Sequence, residues 1–299
     1  MLIVESSNSW TKACGAGEAA TGGAGARPAA VGSGGWRADL VGRDDRQMSS
    51  AYRVLGDVVV EAGDEAPSLG PRARVLLAEL LAQRSAVVTM GTLAEALWGE
   101  AQPQNPRASL QTLVSRLRSV IGTDLLSHAD GYSLAVEDDR VDAGRFEALV
   151  RRARSLAPGE AVAEFRRAEA EWKGEPYGDC DTPHVVYERT RLQNLRSRVV
   201  EERLGAMIAS GDAAGALPEL EAMAGDSPLV EELTVSRAKA LVALGRRREA
   251  LTCLADHRAA LAETSGLEPT ERIRELEAAI LSNRFEAPPP SPRSIDGVR

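Results

Sequence analysis

The sequence has few cysteines, few aromatic residues and no long apolar run. Its three cysteines, Cys14, Cys180 and Cys253, lie far apart without metal-binding spacing, which argues against a disulfide framework and predicts a reduced, cytoplasmic setting. No stretch approaches the roughly 18 consecutive apolar residues of a membrane helix. The N-terminus lacks a basic start followed by an apolar run. Neither a membrane span nor a signal peptide is therefore expected.

Sequence motifs for catalysis and cofactor binding are also missing. No GxxxxGK[ST] phosphate-binding motif occurs, so ATP is not implied, and no other cofactor is expected. The three histidines lie near no serine or cysteine in an arrangement that suits acyl transfer. Asp179, Cys180, Asp181 and His184 sit in one loop without a second ligand pair, so a metal site is not expected. The sequence predicts a binding protein that is not an enzyme.

The charge balance limits where a nucleic acid could bind. The chain carries 36 basic and 44 acidic residues, a net charge of -8. Residues 51–140 contain eight arginines and twelve acidic residues. Because affinity for phosphates comes from Lys and Arg, this acidity argues against a broad nucleic-acid surface. A DNA-binding site would therefore be confined to a small basic part of the surface.

Both ends of the chain have a composition typical of disorder. Residues 1–49 include GAGEAATGGAGARPAAVGSGG, which offers too little apolar surface to offset the entropy of ordering. Residues 286–299 form a Pro-rich tail with the same expectation. We therefore expect two folded domains between them, at 50–140 and 141–285.

The 50–140 segment begins with strand and helix signals. From Tyr52 the sequence reads YRVLGDVVVEAG, in which apolar and polar residues first alternate and β-branched valines follow. This pattern predicts a short antiparallel strand pair. Pro71 in the first turn indicates a helix that runs to about Arg84. A Thr-x-x-Glu capping box predicts that Thr92 caps a second helix, with Glu95 as its partner.

A third helix is predicted at roughly 106–121. Its apolar residues, spaced 3.6 apart, form one stripe: Leu110, Leu113, Val114, Leu117, Val120 and Ile121. The opposite face carries Ala108, Gln111, Thr112, Ser115 and Ser119, flanked by Arg116 and Arg118. No Asp or Glu occurs from 101 to 123. Short polar side chains between guanidinium groups suit a recognition helix in the DNA major groove; a solvated surface helix is the alternative.

A hairpin follows the third helix. LLSHADGYSLAV, at 125–136, has Asp130-Gly131 as its turn. The order of strands, three helices and a hairpin indicates a winged helix-turn-helix.

The 141–285 segment shows helical patterns and an internal repeat. Gly211, Ala216 and Leu217 recur 34 residues later as Gly245, Ala250 and Leu251, which is the tetratricopeptide period. Stacked helix pairs of this kind form a concave surface suited to a protein partner. The predicted fold class is therefore mainly α with small β: a winged helix-turn-helix domain followed by an all-α, tetratricopeptide-like helical repeat domain.

Six phrases in order resemble the antibiotic regulatory protein family of actinobacteria, which joins an OmpR-type winged helix to a bacterial transcriptional activation domain. They are YRVLG (52–56), LGPRARVLLAELL (69–81), LAEALWG (93–99), LQTLVSRLRSVIG (110–122), GYSLAV (131–136) and VDAGRFEALV (141–150). The resemblance extends to about residue 285. It implies a transcription activator of an antibiotic or other secondary-metabolite gene cluster.

The resemblance also implies roles for individual residues. The residues expected to contact bases are Gln111, Thr112, Ser115 and Arg116. Those expected to contact phosphates are Arg74, Trp98, Arg107, Arg118 and His128. Packing in the core is an alternative role for Trp98. His128 is the only basic residue of the wing, where relatives often carry Arg or Lys.

The resemblance further implies partners. Double-stranded promoter DNA with direct repeats would be bound by a head-to-tail homodimer, and RNA polymerase with its sigma factor would be recruited. No membrane partner is expected, and the protein would be cytoplasmic, on the nucleoid. The alternative is a tetratricopeptide-like adaptor that binds only protein through its repeats and carries a degenerate winged helix, as its acidity would favour.

Overall fold

A computed structural model describes residues 51–61 and 67–284. The predictions of disorder for 1–49 and 286–299 lie outside the described residues. Within the described part the protein is mainly α-helical with small sheets, as predicted. We call residues 51–140 the winged helix and 141–284 the helical region.

The elements of the winged helix follow the predicted order. A strand pair comes first, then helices, then a hairpin. They are β1 (Ala51–Arg53), β2 (Val59–Glu61), α1 (Pro71–Ala82), β3 (Val88–Thr89), α2 (Met90–Trp98), α3 (Pro106–Ile121), β4 (Leu125–Ser127) and β5 (Gly131–Leu134). β1 and β2 pair antiparallel, with Tyr52 opposite Val60.

The hairpin belongs to a three-stranded antiparallel sheet with the order β3-β5-β4. β4 pairs with β5 so that Leu125 lies opposite Leu134, and β3 pairs with the other edge of β5, with Val88 opposite Tyr132. The winged helix-turn-helix is therefore confirmed. β3 was not predicted, because two residues show no alternation of apolar and polar side chains.

The predicted cap of the second helix is wrong. Thr89, not Thr92, is the N-cap residue, and its hydroxyl accepts a hydrogen bond from the Thr92 backbone N–H at 3.2 Å. Thr92 therefore lies inside α2. Two threonines three residues apart each satisfy the sequence rule for a cap, and the pairing of β3 decides which one begins the helix.

The helical region contains seven α-helices among the described residues. They are α4 (Asp142–Ala153), α5 (Pro158–Ala170), α6 (Pro183–Ala209), α7 (Ala213–Asp226), α8 (Glu231–Ala243), α9 (Arg247–Ser265) and α10 (Glu271–Leu281).

The predicted 34-residue repeat has matching geometry at both copies. Gly211 ends α6 with φ of 90°, and Gly245 ends α8 with φ of 74°. The next backbone N–H reaches back in the same way each time: Asp212 donates to the Met207 carbonyl and Arg246 to the Leu241 carbonyl, both at 2.8 Å. Glycine meets the left-handed conformation without a Cβ penalty, which explains its recurrence.

Two hydrophobic cores hold the described chain together. The first includes residues of both segments, from Tyr52 of β1 through Leu117 of α3 to Phe146 of α4 and Leu192 of α6. The second is built by α6 to α10 and includes Leu204, Leu241 and Ile273 among its members. α6 contributes to both cores along its 27 residues.

A buried aspartate joins the winged helix to the helical region. Asp142, at the start of α4, is 1% exposed. Its carboxylate accepts hydrogen bonds from the backbone N–H groups of Val54, Leu55 and Ala143 at 2.8, 3.0 and 2.8 Å. Burial raises the pKa of this carboxyl, although the three backbone hydrogen bonds act in the opposite direction. The turn between β1 and β2 is thereby tied to α4.

An ion-pair cluster makes a second junction, between the end of α1 and helices α4 and α6. The Arg84 guanidinium contacts Glu147 at 2.5 Å and Glu188 at 3.1 Å, and Arg191 contacts the same two carboxylates at 2.5 and 2.6 Å. Burial raises the pKa of the Glu147 carboxyl, but the hydrogen bonds from Arg84 and Arg191 outweigh it and lower the pKa below its ordinary value. The winged helix is therefore packed on the helical region at several points.

Candidate nucleic-acid interface

Helix α3, the predicted recognition helix, begins and ends at strong local signals. The Asn105 side chain accepts a hydrogen bond from the Ala108 backbone N–H at 3.0 Å, and Pro106 occupies the first turn. Gly122 ends the helix with φ of 61°. The stripe predicted from spacing faces the core, with Leu110, Val114, Leu117 and Ile121 buried.

The opposite side of α3 is exposed. It presents Arg107, Ala108, Gln111, Thr112, Ser115, Arg116, Arg118 and Ser119. Thr112 donates its hydroxyl hydrogen to the Ala108 carbonyl, and Ser119 donates to the Arg116 carbonyl. Of the described residues, none is hydrogen-bonded to the side chains of Gln111 or Ser115. The amide and hydroxyl at these two positions are therefore available to a partner.

The arginines around this surface differ from other arginines of the winged helix in their lack of acidic neighbours. Arg53, Arg84 and Arg140 each form an ion pair. Within the described ranges no carboxylate lies within ion-pair distance of the three arginines of α3, Arg107, Arg116 and Arg118, or of Arg72 in α1. Uncompensated guanidinium groups give this side of an acidic protein a local positive charge.

Arg118 connects α3 to the wing. Its Nη2 donates to the Leu125 carbonyl and to the Ser127 hydroxyl, both at 3.0 Å. The expectation that Arg118 contacts phosphate stays a prediction, and the guanidinium has further N–H groups that these two bonds leave unused. The observed contacts show that Arg118 positions the hairpin beside the helix.

Replacing Arg118 by alanine is expected to lower the free energy of unfolding by about 1–2 kcal/mol, because both hydrogen bonds to β4 are lost. Urea unfolding, monitored by circular dichroism, measures this difference in the free energy of unfolding. Arg107→Ala is the matched control on the same helix and should change the free energy by about 0.5 kcal/mol or less. Equal stabilities of the two variants would contradict the positioning role.

The other residues predicted to contact phosphates, Trp98, His128 and Arg74, differ in their position relative to α3. Trp98 is half-buried and lines a groove together with Thr112 and Arg116. His128 is exposed, and its Nε2 lies 2.8 Å from the Ser133 hydroxyl. Arg74 faces away from α3, toward the loop before α6, where its guanidinium lies 3.7 Å from the Asp179 carboxylate.

Arg72 is a residue of this surface that the sequence reasoning missed. It is exposed in the first turn of α1 and lines the same groove as Trp98 and Arg116. Arg72 and Arg74 lie two residues apart, which separates their side chains by about 200° around a helix. Only one of the two can therefore face α3, and periodicity alone does not say which.

Among residues 51–61 and 67–284, no helix has both the length and the apolar composition that a membrane span requires. No group of three or more His, Cys, Asp or Glu side chains in the described ranges could hold a metal ion.

Two family models match the chain. The model described as transcriptional regulatory protein, C terminal, matches residues 64–133. The model described as bacterial transcriptional activator domain matches residues 141–281.

Several known proteins are similar over most of the chain. Regulatory protein AfsR of Streptomyces griseus is 35% identical over 236 residues, which cover 77% of this chain and 24% of AfsR. Regulatory protein DnrI of Streptomyces peucetius is 30% identical over 246 residues, which cover 76% of this chain and 90% of DnrI. The chain thus spans about a quarter of the length of AfsR and most of the length of DnrI.

A solved structure shares the fold. Mycobacterium tuberculosis EmbR, in complex with a low affinity phosphopeptide, aligns with a TM-score of 0.72 at 28% sequence identity. The alignment covers 79% of this chain and 65% of that one.

Proposed function

The chain belongs to the antibiotic regulatory protein family of actinobacteria, a family of transcription regulators, and from this premise we propose that it activates transcription by binding DNA in a sequence-specific way. Its target is a secondary-metabolite gene cluster, such as one for an antibiotic. The names of DnrI and AfsR as regulatory proteins support a regulatory role.

The observation that carries the proposal is the exposed side of α3. It combines hydrogen-bonding side chains at Gln111, Thr112 and Ser115 with an arginine, Arg116, that has no carboxylate within ion-pair distance among the described residues. Such side chains read base edges in the major groove, where Arg pairs with guanine and Gln with adenine. Arg107, Arg118 and Trp98 flank this side and contact phosphates, with His128 reaching from the wing.

The proposed partners follow from this arrangement. Two protomers bind direct repeats in promoter DNA, side by side in a head-to-tail homodimer. The helical region recruits RNA polymerase, including its sigma factor, through the surface of its stacked helix pairs. The protein acts in the cytoplasm, on the nucleoid, and the reaction it promotes is carried out by polymerase and not by a catalytic site of its own.

A mobility-shift titration of the full chain against its own promoter region tests the proposal. We expect retarded bands that resist an excess of random competitor duplex. Binding should weaken as salt rises, because each phosphate contact adds about 0.9 to the slope of log K against log salt. The titration is therefore run at two salt concentrations.

The same titration separates the proposal from its alternative, a tetratricopeptide-like adaptor with a degenerate winged helix. No retarded band even at low salt would support the adaptor, because a winged helix that retains its positive surface binds DNA most tightly when salt is low. Bands removed equally by promoter and random competitor would contradict sequence specificity.

A further inference from the structure

Arg72 and Arg116 line both of two adjoining grooves beside the recognition helix. Leu113 of α3 lies in both grooves as well. The first groove is completed by residues 68–71 at the start of α1, and the second by Trp98 and the segment that follows α2. We call the two together the α1–α3 groove. The row of side chains proposed to read bases, Gln111, Thr112 and Ser115, lies next to the groove, and Thr112 is the one of the three that also lines it.

The groove has the charge that an anion requires. Neither Arg72 nor Arg116 has a carboxylate within ion-pair distance in the part of the chain that the structure describes. The first turn of α1 contains no acidic residue, and Gly70 provides no side-chain cap. The backbone N–H groups of Arg72 and Ala73 therefore lack acceptors within the helix and add a second source of positive potential.

We propose that the α1–α3 groove binds a phosphate of the DNA backbone, with Arg72 as the phosphate ligand that α1 supplies. This inference rests on the proposed function and adds a contact outside α3. Arg116 could contact either a phosphate or a base, since it borders both the groove and the row of side chains proposed to read bases. A phosphate held here fixes the angle at which α3 enters the major groove, because phosphate contacts position a protein on the duplex.

Arg74 is the contrasting residue on the same helix. Its guanidinium lies beside Asp179, on the side of α1 that faces the helical region. A carboxylate at this distance repels a DNA phosphate that approaches the same guanidinium. Arg72 and Arg74 both lie in α1, but only Arg72 is thus placed to bind a phosphate of the DNA backbone.

The test measures the salt dependence of promoter binding by fluorescence anisotropy for the full chain and four variants: Arg72→Gln, Arg72→Lys, Arg74→Gln and Arg116→Ala. We expect Arg72→Gln to flatten the slope of log K against log salt by about 0.9 per protomer and to weaken promoter and random duplex to the same degree. Arg72→Lys keeps the charge and should retain most of the slope. Arg74→Gln should behave as the parent.

A parent-like slope for Arg72→Gln would overturn the inference, and a flattened slope for Arg74→Gln in the same series would assign the contact to the other side of α1. Circular dichroism spectra check that each variant is folded, which is expected because the described residues give the Arg72 side chain no partner to lose. Arg116→Ala separates the two proposals. If it changes promoter preference while Arg72→Gln has no effect, the groove is rejected and the function stands.

Discussion

Asp142→Ala is expected to lower the free energy of unfolding by about 3–5 kcal/mol, because it leaves the buried N–H groups of Val54 and Leu55 without an acceptor. Both of these residues are fully buried, so water cannot replace the carboxylate without entering the core. The loss also removes the acceptor for the first turn of α4. Urea unfolding of the parent and the variant, followed by circular dichroism, gives the difference.

Two control variants make this result specific. Asp139→Ala removes an exposed carboxylate three residues earlier and should change the free energy by about 0.5 kcal/mol or less. Asp142→Asn keeps one acceptor oxygen and should fall between the alanine variant and the parent. If Asp142→Ala were as stable as Asp139→Ala, the buried hydrogen bonds would not be what ties the winged helix to the helical region.

The second large effect concerns DNA preference. Arg116→Ala is expected to reduce the discrimination between promoter and random duplex by about 1–3 kcal/mol, the range for one bidentate contact with a base. That corresponds to roughly 5- to 150-fold in the ratio of the two affinities. Anisotropy titrations with both duplexes measure the ratio, and selection of bound sequences from a randomised duplex identifies the position that is relaxed.

Arg166→Ala is the matched control for Arg116→Ala. Arg166 is an exposed arginine of α5, and none of its described neighbours is an acidic partner in an ion pair. Both variants remove one positive charge, so a shared decrease would reflect only the change in net charge. An Arg116→Ala protein that kept the parent's preference would show that α3 does not read bases through this residue.

Helix α3 could be predicted from the sequence because its signals are local. The apolar stripe from Leu110 to Ile121 and the absence of acidic residues lie within one segment, and the structure packs the stripe against the core, with Leu113 and Val120 partly buried. The repeat that links Gly211 to Gly245 was visible for a related reason: each glycine occupies a left-handed position that few other residues adopt. Periodicity and backbone preference are properties of neighbouring residues.

The features that could not be predicted depend on contacts between distant segments. Asp142 bonds to residues 87 and 88 positions earlier, and no pattern near either end reveals this pairing. The choice between Arg72 and Arg74 likewise depends on how α1 packs against α3 and α6, which are distant in sequence. β3 is two residues long and exists only because β5 offers it an edge.

The sharing of α6 between the two cores limits how the molecule can transmit a signal. A continuous helix of 27 residues extends about 40 Å, and no flexible linker interrupts it between Val185 in the first core and Ile208 in the second. In the proposed complex with promoter DNA, the winged helix and helices α7 to α10 would therefore keep a fixed orientation relative to each other and to the duplex. A protein bound by α7 to α10 in that proposed complex would face one side of the promoter, and the distance between binding site and partner would then have to match whole turns of the DNA helix.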